Sequence, residues 1–572
     1  MYHSHQSRED AIEGLHTILR GSQICGPTTN LDFLPAVLTT AAFQSGKTLT
    51  SLLDSFQYTP PAIDVLSGGA YTLIQDSGRP SVGKGIPHSG VMDPVASQIA
   101  NILVGNPRGK ECLEITLRGP ELRFIRPAIV ALCGAPMEVT IDGELDGEPF
   151  PMWSRVWIAA GQTLKIGKTI GGGCRSYLAV YGGFPGIAEY FGSKATSPLV
   201  NLGGYQGRAL AAGDLLVITD DIPREMIMDV SLPQNIIPVY SNDWEIMAMV
   251  GPHDEGYLLP EDIDMIYATE WKVSHNASRS GIRLVGPLPK WARKDGGEGG
   301  AHPSNLIEYG YPIAALNWTG DDPCIFPVDC PNFGGFVSST TIVGADYWKM
   351  GQMKAGDKVK YRRVSLDDAL SARKNVNAFI SCIEKAVIGE MAIESITPLD
   401  TLSSIRSTKD TDWGKAIVAQ ILPSGNQPLV TYRQGGDSHL IIEYGSETFD
   451  LNHRCRVTAL EKLIRDPSAD PPAPSWLTKA VITTVGCCTS LTMSYDPLAI
   501  PSRSKLLDYL QNLERTALGD TSTMKLPTRL FRLPISFESK EQDEATQRYM
   551  ETQRPYAPCK SRNRHSSLTR AR

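Results

Sequence analysis

The sequence predicts a β-rich α+β protein, and three features carry that prediction. The 572 residues include 52 Gly and 40 Pro, and only 20% are charged, a balance that favours turns and short strands over long helices. From Ile63 onward short apolar stretches (AYTLIQDSG, RFIRPAIVALCG, MEVTIDGE, RVWIAAGQTLKIGK, LLVITDD) alternate with Gly, Asp-Gly and Gly-Asp turns. Asp142-Gly143 between alternating residues is the strongest of these hairpin signals. Hydrophobic residues make up 41%, enough for several buried cores, and the length suggests three or four domains at roughly 150 residues each.

In chain order, EDAIEGLHTILR (9–20) puts Ile12, Leu15, Ile18 and Leu19 on one helical face. TTNLDFLPAVL (28–38) supplies a polar cap and a second short helix, and Pro60-Pro61 closes this small unit. One helix interrupts the β-rich stretch. Asp93 is its expected N-cap, Pro94 its first residue, Val95, Ile99, Ile102 and Leu103 its buried stripe, and Gly105 its stop. GRALAAGDLLVI (207–218) and GQMKAGDKVKY (351–361) share a Gly-Asp turn leading into a strand, which suggests two related barrel edges. Residues 366–387 read as a connecting helix with Val376, Phe379, Ile380, Ile383 and Val387 on one side.

A second unit follows the polar stretch SSIRSTKDTD. It offers the strand LIIEYG, a helix around RVTALEKLI and a strand pair around ITTVGCCTSLTMSYDP. A last helix carries Leu506, Leu510, Leu513 and Ala517 and ends at Gly519. This order fits an attached α/β unit. The final stretch CKSRNRHSSLTRAR has basic and no acidic side chains and reads as a solvated tail.

Several function classes are set aside by composition. A formal charge of −7 is a poor start for neutralising phosphates, so nucleic acid is not an expected partner. The 11 Cys are dispersed without a C-x-x-C, which reads as reduced thiols, with Cys324 and Cys330 as a buried pair. The opening MYHSHQSRED is too polar for a signal peptide, and no apolar run approaches the ~18 residues of a membrane span. A cytoplasmic setting without membrane contact is therefore expected. Gly46-Lys47-Thr48 and Gly167-Lys168-Thr169 imitate the end of a phosphate loop, but Ala41 and Gln162 stand where its first Gly is needed. Ser371-x-x-Lys374 and Ser502-x-x-Lys505 read as polar helix spacing. No H-E-x-x-H occurs, and no metal is expected. Lys354 follows Met353 but lacks a second Met, so it reads as an ordinary turn and not as a biotin acceptor.

Two polar, glycine-rich loops remain. QDSGRPSVGKGIPHSGVMD (75–93) carries Asp76, Arg79, Lys84, His88, Ser89 and Asp93; WARKDGGEGGAHPSN (291–305) carries Arg293, Lys294, Asp295, Glu298, His302 and Asn305. Such loops can bring backbone N–H groups close to an anionic or carbonyl ligand, and loops this long are more often functional than idle. The residues favour a small polar ligand with carbonyl and amide groups and fix no reaction. Both loops are expected to converge on one pocket.

These loops also carry a family resemblance. TLIQDSGRPSVGKGIPHSGVMD, ANILVGN, LEITLRGPELRF, ALCGAPMEVTIDG, YLAVYGGF and WKVSHNASRSGIRLVGPLPKWARKDGGEGGAHPSN resemble the carboxyltransferase domain of urea carboxylases. That family includes fungal urea amidolyase and is related to allophanate hydrolase subunit 2 and to a 5-oxoprolinase subunit. NQPLVTYRQGGDSHLIIEYGSETFDLNHRCRVTALE resembles the half that follows, related to allophanate hydrolase subunit 1, and residues 8–57 resemble the C-terminal end of a biotin carboxylase. The resemblance implies cyclophilin-like β-barrels with an attached α/β unit. It divides the chain into a biotin carboxylase remnant (1–60), a carboxyltransferase domain (61–365), a helical connector (366–392), an incomplete subunit 1-like domain (393–558) and a basic tail (559–572).

The resemblance further implies a reaction, transfer of a carboxyl group from carboxybiotin to urea to give allophanate. Biotin would be carried in trans, since no biotin-acceptor Lys is recognised here, and ATP would be used by a biotin carboxylase module and not by this chain. Urea offers one acceptor and four donors, so Asp295, Glu298 and Asn305 suit its N–H groups. Arg79, Arg279 or His302 suits its oxygen or the carboxylate. Asp76, His88, Ser89, Asp93, Asn276 and Gln434 complete the candidate substrate-binding set, with no catalytic role assigned. Alone, the chain is expected to be inactive. The alternatives are a truncated, non-catalytic small-amide-binding module and a 5-oxoprolinase-like component.

Overall fold

The computed structural model describes residues 7–553, apart from 23, 25–28, 32, 55, 81–84, 143–149, 220, 224–229, 401–413, 447, 467, 470, 519–528 and 535–538. Lys84, Gly143, all of SSIRSTKDTD, Gly519 and the basic tail lie outside the described residues.

The first lobe is two five-stranded antiparallel sheets. One runs Leu215–Val217, Ala62–Ser67, Glu121–Phe124, Thr163–Thr169, Met137–Asp142; the other runs Thr72–Gln75, Cys112–Thr116, Arg175–Val180, Ala128–Gly134, Val156–Ile158. Ile63, Leu122 and Leu164 from one sheet meet Leu113, Val130 and Leu178 from the other in a shared core. Period-two alternation sends these residues to the same side of their strands. The run AIVALCG is buried along its whole length. Its second face, through Ile129, Ala131 and Cys133, packs on helix Pro94–Leu103. That helix forms as the sequence predicts. Asp93 accepts from the Val95 and Ala96 amides at 3.0 and 2.9 Å, the four stripe residues are buried, and Gly105 follows with φ 81°, a conformation that favours glycine.

The second lobe is a closed seven-stranded barrel in the order Asp243–Val250, Ser338–Ile342, Ala315–Thr319, Asp322–Ile325, Ile282–Val285, Glu270–Ala277, Lys358–Arg363. Asp243–Val250 and Lys358–Arg363 close it as a parallel pair. Closure removes the sheet edges that would otherwise invite pairing with another chain.

The two Gly-Asp turns are equivalent in structure. Asp214 accepts from the Ala211 amide at 2.8 Å and Asp357 from the Lys354 amide at 3.1 Å. The Gly213 and Gly356 amides each donate to a valine carbonyl at 2.9 Å, Val65 and Val273, and those valine amides donate back to the Asp214 and Asp357 carbonyls. Each lobe thus locks its last strand in place with the same turn.

Helix Leu366–Val387 leads out of the barrel, with Phe379, Ile380 and Ile383 buried and Val376 and Val387 packed beside them. Beyond it stands a five-stranded sheet in the order Ile417–Ile421, Val430–Gly435, His439–Tyr444, Ser490–Tyr495, Val481–Gly486. Helices Leu451–Arg465 and Arg503–Thr516 share its core through Leu460, Leu506 and Leu510 against Leu440, Ile442 and Leu491. The attached α/β unit is therefore a helix-backed sheet with antiparallel strands throughout. The N-terminal helix Arg8–Gly21 also forms, but of its predicted stripe only Leu19 is buried, because it packs on the six-residue helix Phe33–Leu38. No helix among the described residues is long and apolar enough to cross a membrane.

Candidate functional site

A cavity of about 690 Å³ lies where these bodies meet. The first lobe contributes Asp76, His88 and Ser89, the barrel lobe Ile313, Val328 and Tyr347, the connecting helix Arg373, and the third unit Ser438 and His439.

The first wall is the glycine-rich loop. Asp76 accepts from the Gly78 amide at 2.8 Å, the Ser193 hydroxyl at 2.6 Å and the Lys194 amide at 2.7 Å. The His88 ring lies against Gly78, where a Cβ would stand 2.5 Å from it. His88 Nδ1 is 3.0 Å from the Ser89 carbonyl oxygen. A carbonyl only accepts, so Nδ1 carries the proton and Nε2 keeps its lone pair. Burial lowers the His88 pKa, and the imidazole is neutral at pH 7. Ser89 takes a left-handed backbone (φ 58°); its amide donates to the Val328 carbonyl at 2.9 Å and its hydroxyl pairs with that of Ser197. Arg79 is buried beneath the loop, donating to Ser197 Oγ at 3.0 Å and to the Ala195 carbonyl.

Arg279 ties this loop to the barrel. Its Nε and Nη2 meet both oxygens of Asp329 at 2.7 and 3.1 Å, Nη1 reaches Glu114 at 2.6 Å, and Nη2 also donates to the Gly90 carbonyl at 2.7 Å. The second Glu114 oxygen accepts from the Met92 amide and the Tyr177 hydroxyl at 2.8 and 3.0 Å. Gln352 makes a parallel tie. Its Nε2 donates to Asp93 at 2.7 Å, and its Oε1 accepts the Cys174 and Arg175 amides at 2.9 and 2.8 Å. Burial pushes the Asp93 carboxyl up to about 6.

The third unit supplies the opposite wall from the hairpin between Val430–Gly435 and His439–Tyr444. Asp437 accepts from Arg373 Nε at 2.8 Å and from the Gly344 amide at 3.0 Å, joining three segments at the cavity floor. Burial holds the His439 imidazole down at about 4.

The structure brings Asp76, His88 and Ser89 to the cavity. Arg79, Asp93 and Arg279 support it from behind as hydrogen-bonded internal groups. None of Asp295, Glu298, His302 and Asn305 lines it, so the two loops do not share one pocket. Asp295 and Glu298 are exposed, and His302 packs edge to face on Trp291, with Nε2 3.4 Å from Asp321. Asn276 is exposed on a barrel strand. Gln434 is buried against Arg503, which donates to its Oε1 at 2.5 Å. Sequence reasoning missed Tyr347, Arg373, Ser438 and His439. The GGDSH turn after Gln434 was the available signal.

The family model for the carboxyltransferase domain, subdomains A and B, matches residues 84–363. The chain is 57% identical over its whole length to an Emericella nidulans protein provisionally named a urea carboxylase, of which it spans 46%. It is 31% identical to a 5-oxoprolinase subunit of Escherichia coli, over 55% of this chain and 94% of that relative. The crystal structure of Kluyveromyces lactis urea carboxylase matches with a TM-score of 0.79 at 32% identity, over 97% of this chain and 48% of that one. The chain thus spans about half the length of the urea carboxylases it matches. Loop residues His88 and Ser89, the whole barrel and the Arg279–Asp329 tie all fall inside the matched stretch, and the chain belongs to the carboxyltransferase family.

Proposed function

We propose that this chain is the carboxyltransferase part of a biotin-dependent urea carboxylase. It would move a carboxyl group from carboxybiotin to urea to give allophanate, with biotin carrier and biotin carboxylase modules acting in trans and ATP bound elsewhere. The observation that carries this reading is the cavity walled by Asp76, His88 and Ser89, the barrel lobe and the third unit. Residues 61–365 would form the carboxyltransferase domain, 366–392 its connector, 393–558 the subunit 1-like domain that supplies the far wall, and 1–60 a biotin carboxylase remnant.

The residues present suit the group. About 690 Å³ has room for a bicyclic ureido ring with urea beside it. Val91, Met92 and Val328 offer apolar surface. When bound, carboxybiotin supplies the carboxyl: its N–CO2 bond breaks, a C–N bond to urea forms, and one proton passes from the urea nitrogen to the biotin nitrogen. Asp76 holds its position through three donors and offers its remaining lone pair to a urea N–H. His88 Nε2, neutral and unprotonated, can take the proton that urea releases and return it. Fixed groups on separate bodies would orient the two reactants, which is where most of such a rate gain arises.

The test supplies carboxylated biotin carrier and labelled urea and follows allophanate. Formation of labelled allophanate is expected, falling at least about tenfold in His88→Gln. Carboxybiotin that decays at the same rate with and without urea refutes the reading.

A further inference from the structure

We propose that a second, smaller cavity binds a small N–H-donating cation of the ammonium class and so bridges the barrel lobe and the third unit.

This cavity, of about 190 Å³, lies at the seam between strand Asn305–Gly310 of the barrel lobe and the sheet of the third unit. On the sheet side it is lined by a row of polar residues, Gln420, Thr431, Glu443 and Ser490, each directly opposite the next across four antiparallel strands. Residues paired in that way share one face of the sheet. The other face, through Leu440, Ile442 and Leu491, is the helix-backed core. Strand Ser490–Tyr495 lends Ser490 to this cavity and Thr492 and Ser494 to the larger one. Thr492 Oγ donates to the Gly310 carbonyl at 2.9 Å, so the two cavities are neighbours along one tied strand.

Charge and hydrogen bonding decide what fits. Three charged side chains line the cavity: Glu308, Arg433 and Glu443. Arg433 is already engaged, donating from Nε to one Glu443 oxygen at 2.6 Å and from Nη1 to the Pro252 carbonyl at 3.4 Å. Glu308, on the opposite wall, receives the Cys488 thiol on one oxygen at 3.1 Å and makes no ion pair among the described residues. Gln420 Nε2 is used on Thr431 Oγ1 at 3.2 Å. Among the described residues, the second oxygens of Glu308 and Glu443 and the Gln420 side-chain oxygen accept no hydrogen bond. Glu308 and Glu443 are half-buried and Gln420 is exposed, so all three side chains are accessible. Ser490, 1% exposed, ends the row with a hydroxyl that has no partner among the described residues.

The free groups are therefore acceptors, and two carboxylates face one guanidinium. An ammonium group supplies the missing positive charge together with several N–H donors, and its hydrogen bonds to carboxylates are of the strong, charge-assisted kind. An anion would meet the carboxylates, and a bare metal cation would bring charge without donors. The aromatic lining does not select the ligand, since the Tyr257 ring already carries the Arg293 and Arg433 guanidinium groups at 5.4 and 5.3 Å from its centroid. Because Glu308 and Glu443 belong to different bodies, a cation held by both seats the third unit on the barrel lobe.

The experiment titrates the full chain with ammonium, methylammonium, tetramethylammonium, potassium and sodium chlorides at constant ionic strength, following thermal unfolding and heat of binding. Ammonium and methylammonium are expected to stabilise saturably, as ligands of the folded state do. Tetramethylammonium, which has no N–H, and potassium should do no more than sodium. Glu308→Gln should weaken ammonium binding by about tenfold. Gln420→Leu, at the exposed rim, should weaken it by about threefold and serves if the Glu308 variant does not fold. An equal response to sodium and ammonium, or an ammonium affinity undiminished in both variants, overturns the proposal. Potassium or tetramethylammonium binding as tightly as ammonium overturns it too, because neither can donate a hydrogen bond.

Discussion

Replacing Arg279 by Met is expected to release the loop that forms the first wall of the cavity. Arg279 is 4% exposed, and the two carboxylates it joins, Glu114 and Asp329, are 1% and 4% exposed. Methionine keeps much of the volume but leaves Asp329 buried without its cation, leaves Glu114 only Arg175 at 3.6 Å, and removes the donor to the Gly90 carbonyl. Removing one partner of a buried ion pair costs about 3–5 kcal/mol. At roughly 2–4 °C per kcal/mol for a unit of this size, the first thermal transition should fall by about ten degrees. Hydrogen exchange should rise at the Ser89 and Val91 amides, which donate to Val328 and Asp76 carbonyls in the native loop. The double variant Arg279→Met, Asp329→Asn should recover part of the loss, because it removes the stranded charge together with the cation while Glu114 keeps Arg175. A melting temperature of Arg279→Met within about two degrees of wild type, with unchanged exchange in the loop, would refute the reasoning and return Arg279 to the set of substrate-facing candidates.

Asp93 titrates with its carboxyl raised from 3.8 to about 6 by burial. A raised acid favours the protonated form in the folded state, so its contribution to stability is greatest below pH 4 and declines as pH rises to 6, by about 3 kcal/mol. The stability gap between wild type and Asp93→Asn should therefore narrow by about 2 kcal/mol between pH 4 and pH 6.5 in denaturant titrations; a constant gap contradicts it. Gln352→Glu places an acceptor where Nε2 now donates to Asp93 and to the Arg175 carbonyl. It should destabilise by about 3 kcal/mol at pH 8 and less at pH 5, where a proton can restore the donor. Asp357→Ala removes the partner of Trp244 Nε1 at 3.0 Å and of the Lys354 amide. A loss of about 2 kcal/mol with a shifted tryptophan emission is expected, and an unchanged spectrum would show that the turn does not hold the barrel edge.

Local structure was legible in the residues because local rules decide it. Asp93-Pro94 followed by an apolar stripe and Gly105 needs only cap chemistry, and the helix forms there. The two Gly-Asp turns need only a glycine with φ near 90° and an acid beside it, and both lock a last strand. The 75–93 loop was found for the same reason, since its glycines and polar side chains sit together in sequence. What the residues did not show is tertiary. Arg279 looked like a ligand-facing cation in a polar stretch, yet it is neutralised by Glu114, 165 positions away, and caps the Gly90 carbonyl, 189 positions away. No local pattern carries a pairing at that separation.

The same separation explains the missing wall. Gln434 and His439 lie in the two strands of the hairpin and Ser438 in the turn between them, and what brings Ser438 and His439 to the cavity is neighbours from other segments, which residue order does not show. The joint at Asp437 depends on Arg373 in the connecting helix and Gly344 in the barrel lobe, and none of the three has a purpose that its own segment reveals. A cavity assembled in this way cannot be halved without losing a wall: the first lobe alone keeps His88, Ser89, Arg108 and Lys110 but has none of Arg373, Ser438 and His439. Substitutions that loosen the seating of the third unit, such as Asp437→Ala, should therefore depress ligand binding even though Asp437 itself does not line the cavity.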